Sequence, residues 1–376
     1  MSGAGAPRPA HKTPSRTACL HAGRWAGSRH ANPRQAMAGE TMKFGVFDHM
    51  DRASTTLGEQ FETRLKLIEA YDSLGFHAYH VAEHHATPLG MAPSPSVFLA
   101  AVAQRTRRLR FGPLVYTLNL YHPLRLIDEI CMIDQMSGGR LELGVGRGIS
   151  PFEVGYYGVD PATGPERFAE TLAVILKGLT TRSLSHEGQY FTFRDVPMEL
   201  EPVQRPHPPL WYGANTPDSA ERLARQGYNV VIGLPAPAVR AFVDRYRAAW
   251  QAQGRHDTAP PLLGLSRHVV VGDTDKEAID AARRAFKLWY GALEHLWRKN
   301  GVGLPRQLIP AAFDDAVAGG YIVAGAAATV RDRMRRDNDI AGINYCLCRL
   351  AFGDLSYEEA SRSIALFARE VMPALA

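Results

Sequence analysis

Three observations predict an α/β fold, a (β/α)8 TIM barrel with insertions that form a lid at its C-terminal mouth. From Lys43 onward, short apolar strands alternate with amphipathic helices, eight times over. Strands each followed by a helix pair in parallel through right-handed crossovers, and eight such units favour closure over an open doubly wound sheet. Third, the run Arg140–Gly148, R-L-E-L-G-V-G-R-G, alternates with period two and ends in an arginine between glycines. In a barrel, the C-terminal end of a strand is where sites are built.

The elements follow in order. Lys43–Phe47 is the first strand, and Leu57–Leu74 the first helix, apolar at 61, 65, 68 and 71 and stopped by Gly75. Phe76–Ala82 is the second strand, followed by a helix from Pro95 to Thr106. Leu109–Tyr116 is the third strand, and helix Pro123–Met136 leads to the fourth, Arg140–Val145. Strand Leu210–Gly213 precedes helix Pro217–Gln226, and strand Asn229–Gly233 precedes helix Ala238–Gln253. The last two strands are Leu262–Val271 and Gly342–Leu347, with Tyr357–Met372 as the closing helix. The connections Ile149–Pro209 and Asp273–Thr329 are too long for plain loops and should carry extra helices or a lid.

Residues 1–41 read as a disordered or non-native extension, and 42–376 as the barrel domain. The first forty residues are rich in Ala, Gly, Pro and Arg, without apolar periodicity. Arg8, Lys12, Arg16, Arg24, Arg29 and Arg34 against Glu40 account for the whole formal charge of +5. The segment suits either a transit peptide or an upstream start, with translation beginning at Met42; the second is favoured. The rest is formally neutral, which argues against nucleic acid or an anionic membrane as partner. No apolar run is long enough to span a bilayer. Cys19, Cys131, Cys346 and Cys348 lack metal spacing and read as free thiols in a reducing cytosol, with both thiols of Cys346-Leu347-Cys348 on one strand face.

Several residues could carry chemistry. The second strand ends in Ala82-Glu83-His84-His85, where a barrel places a catalytic base. Adjacent histidines should point to opposite faces, which speaks against a shared metal, and no second ligand set appears. Arg147 in its glycine turn suits a phosphate clamp, although a barrel strand with packing glycines and a solvent arginine gives the same pattern. The turn Gly213-Ala214-Asn215-Thr216-Pro217-Asp218-Ser219 opens a helix whose free N–H groups attract an anion, although capping alone explains those residues. Ile232, Leu234, Trp289 and Tyr321 suggest an apolar substrate pocket.

Glu83-His84-His85, His122-Pro123-Leu124-Arg125, Asp134-Gln135-Met136-Ser137-Gly138-Gly139-Arg140 and Gly144-Val145-Gly146-Arg147-Gly148 together resemble the bacterial luciferase-like family of flavin-dependent monooxygenases. The closing stretch from Tyr357 to Pro373 is also similar to that family's last helix, so the resemblance runs from about Met42 to Pro373. The resemblance implies FMN at the barrel mouth, reduced by a separate flavin reductase, with O2 as co-substrate and a C4a-peroxyflavin that oxygenates a small, apolar organic molecule. It places the catalytic histidine on His84 and puts Glu83 near the flavin ring. A non-prolyl cis peptide beneath the ring would fall at Leu114–Val115. Phosphate contacts fall on Arg147, Gly148 and Ile149, and on Asn215, Thr216 and Ser219. The turn at Ala214-Asn215 departs from a Gly- and Ser-rich pattern, which favours Thr216 and Ser219 over Asn215 for the contact. Relatives commonly form homodimers. Two other readings stay open: hydride transfer with the deazaflavin F420, and a non-catalytic flavin-binding protein.

Overall fold

The computed structural model describes residues 41–214, 216–255, 260–305 and 309–376. In chain order its first half comprises β1 (Lys43–Asp48), α1 (Leu57–Leu74), β2 (Ala78–Val81), α2 (Pro95–Arg105), β3 (Arg110–Pro113), β4 (Tyr116–Thr117), α3 (Pro123–Ser137) and β5 (Leu143–Gly146). Then come α4 (Pro151–Tyr156), α5 (Gly164–Gly178), β6 (Ser183–Glu187), β7 (Thr192–Pro197), β8 (Leu210–Ala214), α6 (Ala220–Gln226), β9 (Asn229–Ile232) and α7 (Ala236–Gln251). The chain finishes with β10 (Leu263–Gly272), α8 (Asp275–Lys299), α9 (Phe313–Ala318), β11 (Ile322–Ala326), α10 (Ala327–Ala341), β12 (Tyr345–Arg349) and α11 (Tyr357–Leu366).

The parallel sheet runs β3-β2-β1-β12-β10-β9-β8-β5-β4, and a bridge between Phe111 and Leu141 joins β3 to the strand entering β5. That contact brings the ends of the sheet together, so the architecture is the (β/α)8 barrel. The third expected strand is interrupted: Pro113 ends β3, the Leu114–Val115 peptide is cis, and the chain resumes pairing with β5 as β4.

Local sequence sets the helices. Thr56 and Glu59 form a reciprocal capping box on α1, and Gly75 closes it in the left-handed conformation at φ 83°. Ser356 and Glu359 repeat the box on α11. Strand alternation then sorts the side chains. Cys346 and Cys348 face the helical layer among buried residues such as Val46 and Ile343, while Tyr345 and Leu347 face the barrel interior with Trp211, Val231 and Leu114. Cys131, Cys346 and Cys348 are free and buried, whereas Cys19 lies outside the described residues.

The two long connections behave differently. From the first, α5 packs as a barrel helix and the antiparallel pair β6–β7 lies beside it; the connection's start reaches the mouth, through Ile149, through Glu153 of α4 and through Tyr157 that follows α4. The second holds a strand that periodicity did not expose. β10 pairs β9 through Leu263–Leu265 and β12 through Gly264–His268, and from His268 to Gly272 it pairs β11. The same connection roofs the mouth with Trp289, Leu293 and Tyr321.

Candidate active site

A cavity of about 520 Å³ opens at the C-terminal ends of the strands. The sequence-predicted residues Glu83, His84, Leu114, Val115, Arg147, Gly148 and Ile149 all line it. Thr216 and Ser219 do not; they sit just beyond Gly213, which does, on the strand beside β5. The Ser219 hydroxyl donates to the Thr216 carbonyl at 3.2 Å, and Thr216 makes no side-chain cap. Asn215 lies outside the described residues.

The loop after β2 separates the two histidines. His84 Nδ1 lies 3.1 Å from Glu153 Oε1, and the other Glu153 oxygen accepts the His85 backbone N–H at 2.8 Å. A carboxylate only accepts, so Nδ1 carries a proton toward Glu153, and Nε2 is the ring nitrogen left to exchange a proton with a bound molecule. His85 instead reaches Glu83 at 2.8 Å through Nε2 and the Tyr157 hydroxyl at 2.8 Å through Nδ1. The side chain of Glu83 is fully buried and takes two further donors, the Thr117 backbone N–H at 2.9 Å and the Tyr121 hydroxyl at 3.0 Å. It ties the end of β2 to β4, beside the cis peptide. Among the described residues no group of His, Cys, Asp and Glu is arranged to hold a metal ion.

Sequence reasoning missed His49, which lies just past β1. Its ring stacks on that of His84, with centroids 5.7 Å apart and planes 22° apart. Trp289 donates its indole N–H to His49 Nδ1 at 3.3 Å, which leaves the His49 proton on Nε2. Burial, with Arg349 and His84 nearby, holds the His49 pKa well below the usual 6.5, so the ring is neutral. The cavity is thus offered a donor from His49, beside the Nε2 nitrogen of His84. The signal for His49 was its place at the end of the first strand.

At the β5 end, close approach dictates the glycines. A Cβ on Gly146 would lie 2.4 Å from Val115 Cγ2, and Gly148 holds φ 84°. Arg147 is exposed beside them, and its guanidinium has no hydrogen bond or ion pair among the described residues. Leu234, Trp289 and Tyr321 line the cavity as expected from sequence, but Ile232 does not. It faces the helical layer, and Val231 takes the inward position, one residue earlier in the alternation. Nor is the wall apolar throughout: Ser266, His268 and Arg349 also line it.

The sequence profile described as luciferase-like monooxygenase matches residues 42–343. An uncharacterized protein of Sinorhizobium fredii, y4wF, is 42% identical over 88% of this chain and 96% of its own length. The oxygenase component of the flavin-dependent trigonelline monooxygenase of Acinetobacter baylyi is 29% identical over 89% of this chain and 95% of its own. Among solved structures, the monooxygenase RslO1 of Streptomyces bottropensis superposes with a TM-score of 0.80, at 29% identity, over 89% of this chain and all of that one. Fold, mouth geometry and similarity agree that the chain belongs to the luciferase-like monooxygenase family.

Proposed function

We propose that residues 42–376 form an FMN-dependent monooxygenase that oxygenates a small organic molecule with O2. The observation that carries this reading is one cavity holding three parts in series: the unpaired Arg147 with its glycine turn, the apolar Leu114–Val115 platform, and His84 fixed by Glu153. These residues fit the group. Arg147 and the Gly148 and Ile149 amides would hold a phosphate. Leu114, Val115 and the bare backbone of Gly146 would accept a flat ring. Bound reduced flavin supplies the electrons that activate dioxygen.

The chain's own residues then do the rest. Nε2 of His84 accepts or returns a proton at the substrate, and Glu153 fixes its tautomer and stabilises the charge it gains. Trp289, Leu293 and Tyr321 narrow the mouth and exclude water from it. The name of the trigonelline relative, an oxygenase component, supports a separate reductase as the source of reduced FMN.

Stopped-flow mixing of the protein and reduced FMN with aerated buffer tests the reading. Bound flavin should reoxidise with kinetics distinct from those of free reduced FMN, and His84→Ala should change them. Reoxidation at the free rate at saturating protein would overturn the proposal.

A further inference from the structure

The wall opposite Arg147 carries a second cationic site that the flavin reading does not use. β10 and β12 lie side by side with His268 paired in register to Arg349, and Ser266 paired to Leu347. Residues two apart share a strand face, so Ser266 and His268 point inward together, as Leu347 and Arg349 do. All four line the cavity.

Among the described residues, the polar groups there find no partner. Arg349 Nε, both ring nitrogens of His268 and the Ser266 hydroxyl are buried without a hydrogen-bond partner among the described residues. Among the described residues the Arg349 guanidinium makes no ion pair; it rests over the Phe47 ring at 4.8 Å and near Trp289 at 6.0 Å. The carboxylates that line or border the mouth are engaged elsewhere: Glu83 has three donors and Glu153 holds the two histidines. Burial and the neighbouring Arg267 push the Arg349 pKa down to about 9, the mark of a cation with no counter-charge. Contact with aromatic faces offsets only a small part of the cost of such burial. A guanidinium, an imidazole and a hydroxyl without partners on adjoining positions of one cavity wall offer the donors that receive a carboxylate.

Resting on the monooxygenase reading above, we propose that the substrate is a flat organic acid whose carboxylate is received by Arg349, His268 and Ser266. The rings of Phe47 and Trp289 flank Arg349, and Leu293 extends the apolar wall, so the body of the acid lies against aromatic and aliphatic surface. In the sheet, β9 and β8 stand between β10 and β5, which separates this anion site from the phosphate end at Arg147.

Calorimetric titration of the full chain with benzoate and with benzamide, with and without FMN, tests this. Benzoate should bind at least about tenfold more tightly than benzamide. Arg349→Met should abolish that preference while the FMN Kd stays within twofold. Should that variant fail to fold, Arg349→Lys keeps the charge without the planar fork and should lose most of the preference. Equal affinity for benzoate and benzamide would overturn the proposal. So would an Arg349→Met variant that weakens reduced FMN instead, since the guanidinium would then serve the flavin. Benzoate selectivity without FMN binding would leave the anion site standing and sink the monooxygenase reading.

Discussion

His84 and Glu153 meet at 3.1 Å across 69 residues of sequence, one from the loop after β2 and the other from α4. Glu153 brings the long connection after β5 onto a predicted catalytic residue, and the predictions of the pair are specific. His84→Ala should cut oxygenation by roughly 10²–10⁴, the usual range for a lost acid–base group, and leave FMN affinity nearly unchanged. Glu153→Gln should lower kcat and shift its pH profile, because an amide can donate to Nδ1 and select the other tautomer. If His84→Ala loses flavin binding together with activity, the histidine is a structural part.

Arg147→Ala should weaken FMN by about 1.5–3 kcal/mol, roughly tenfold to a hundredfold, the worth of a charge-assisted hydrogen bond. Riboflavin, which lacks the phosphate, should bind wild type and variant alike. Fluorescence quenching of the two flavins makes the comparison. Equal losses for both would move Arg147 away from the phosphate.

Asp51 gives a stability prediction with a definite sign. Burial raises its carboxyl from 3.8 to about 7, against the pull of Arg64. A group raised on folding stabilises fully below its unfolded value and loses that contribution as pH rises through the folded one. Asp51→Asn should therefore raise Tm above wild type, by more at pH 8 than at pH 5. A gap that narrows with rising pH would contradict this placement of the charge.

Buried histidines act in the opposite direction. Burial lowers His80 to about 3 and His77 to about 4, and holds His49 and His268 well below 6.5. Each depressed base contributes stability present above 6.5 and lost as pH falls below it, because the unfolded chain takes up the proton first. These four outnumber Asp51 between pH 7 and 5, so Tm should fall on acidification across that window. A flat or rising profile would argue that these rings are solvated.

Much of this was legible in the sequence because period and punctuation act locally. Apolar spacing and Gly75 placed α1 at Leu57–Leu74, and alternation put Cys346 and Cys348 on one strand face, which the structure shows to be the helical side. The family resemblance located the cis peptide at Leu114–Val115. What failed was non-local. β11 forms because the long β10 outruns its barrel partners, a fact of pairing that a five-residue apolar run among helices does not announce. The last strand extends to Arg349, past the expected end at Leu347, so the arginine fell outside the strand whose alternation points it inward. His49, Ser266 and His268 matter because neighbouring strand ends converge, which no spacing along the chain records. The Ile232 expectation failed by a single residue of register, which is enough to reverse a side chain.

The central claim is that the mouth of this barrel holds reduced FMN. Anaerobic equilibrium titration of the full chain with reduced FMN, oxidised FMN and F420 tests it most directly. The account predicts saturable binding of reduced FMN, tighter than the oxidised form and tighter than F420. Preference for F420 would make the enzyme a hydride-transfer catalyst, and binding of neither flavin would contradict the site built on Arg147, Leu114–Val115 and His84.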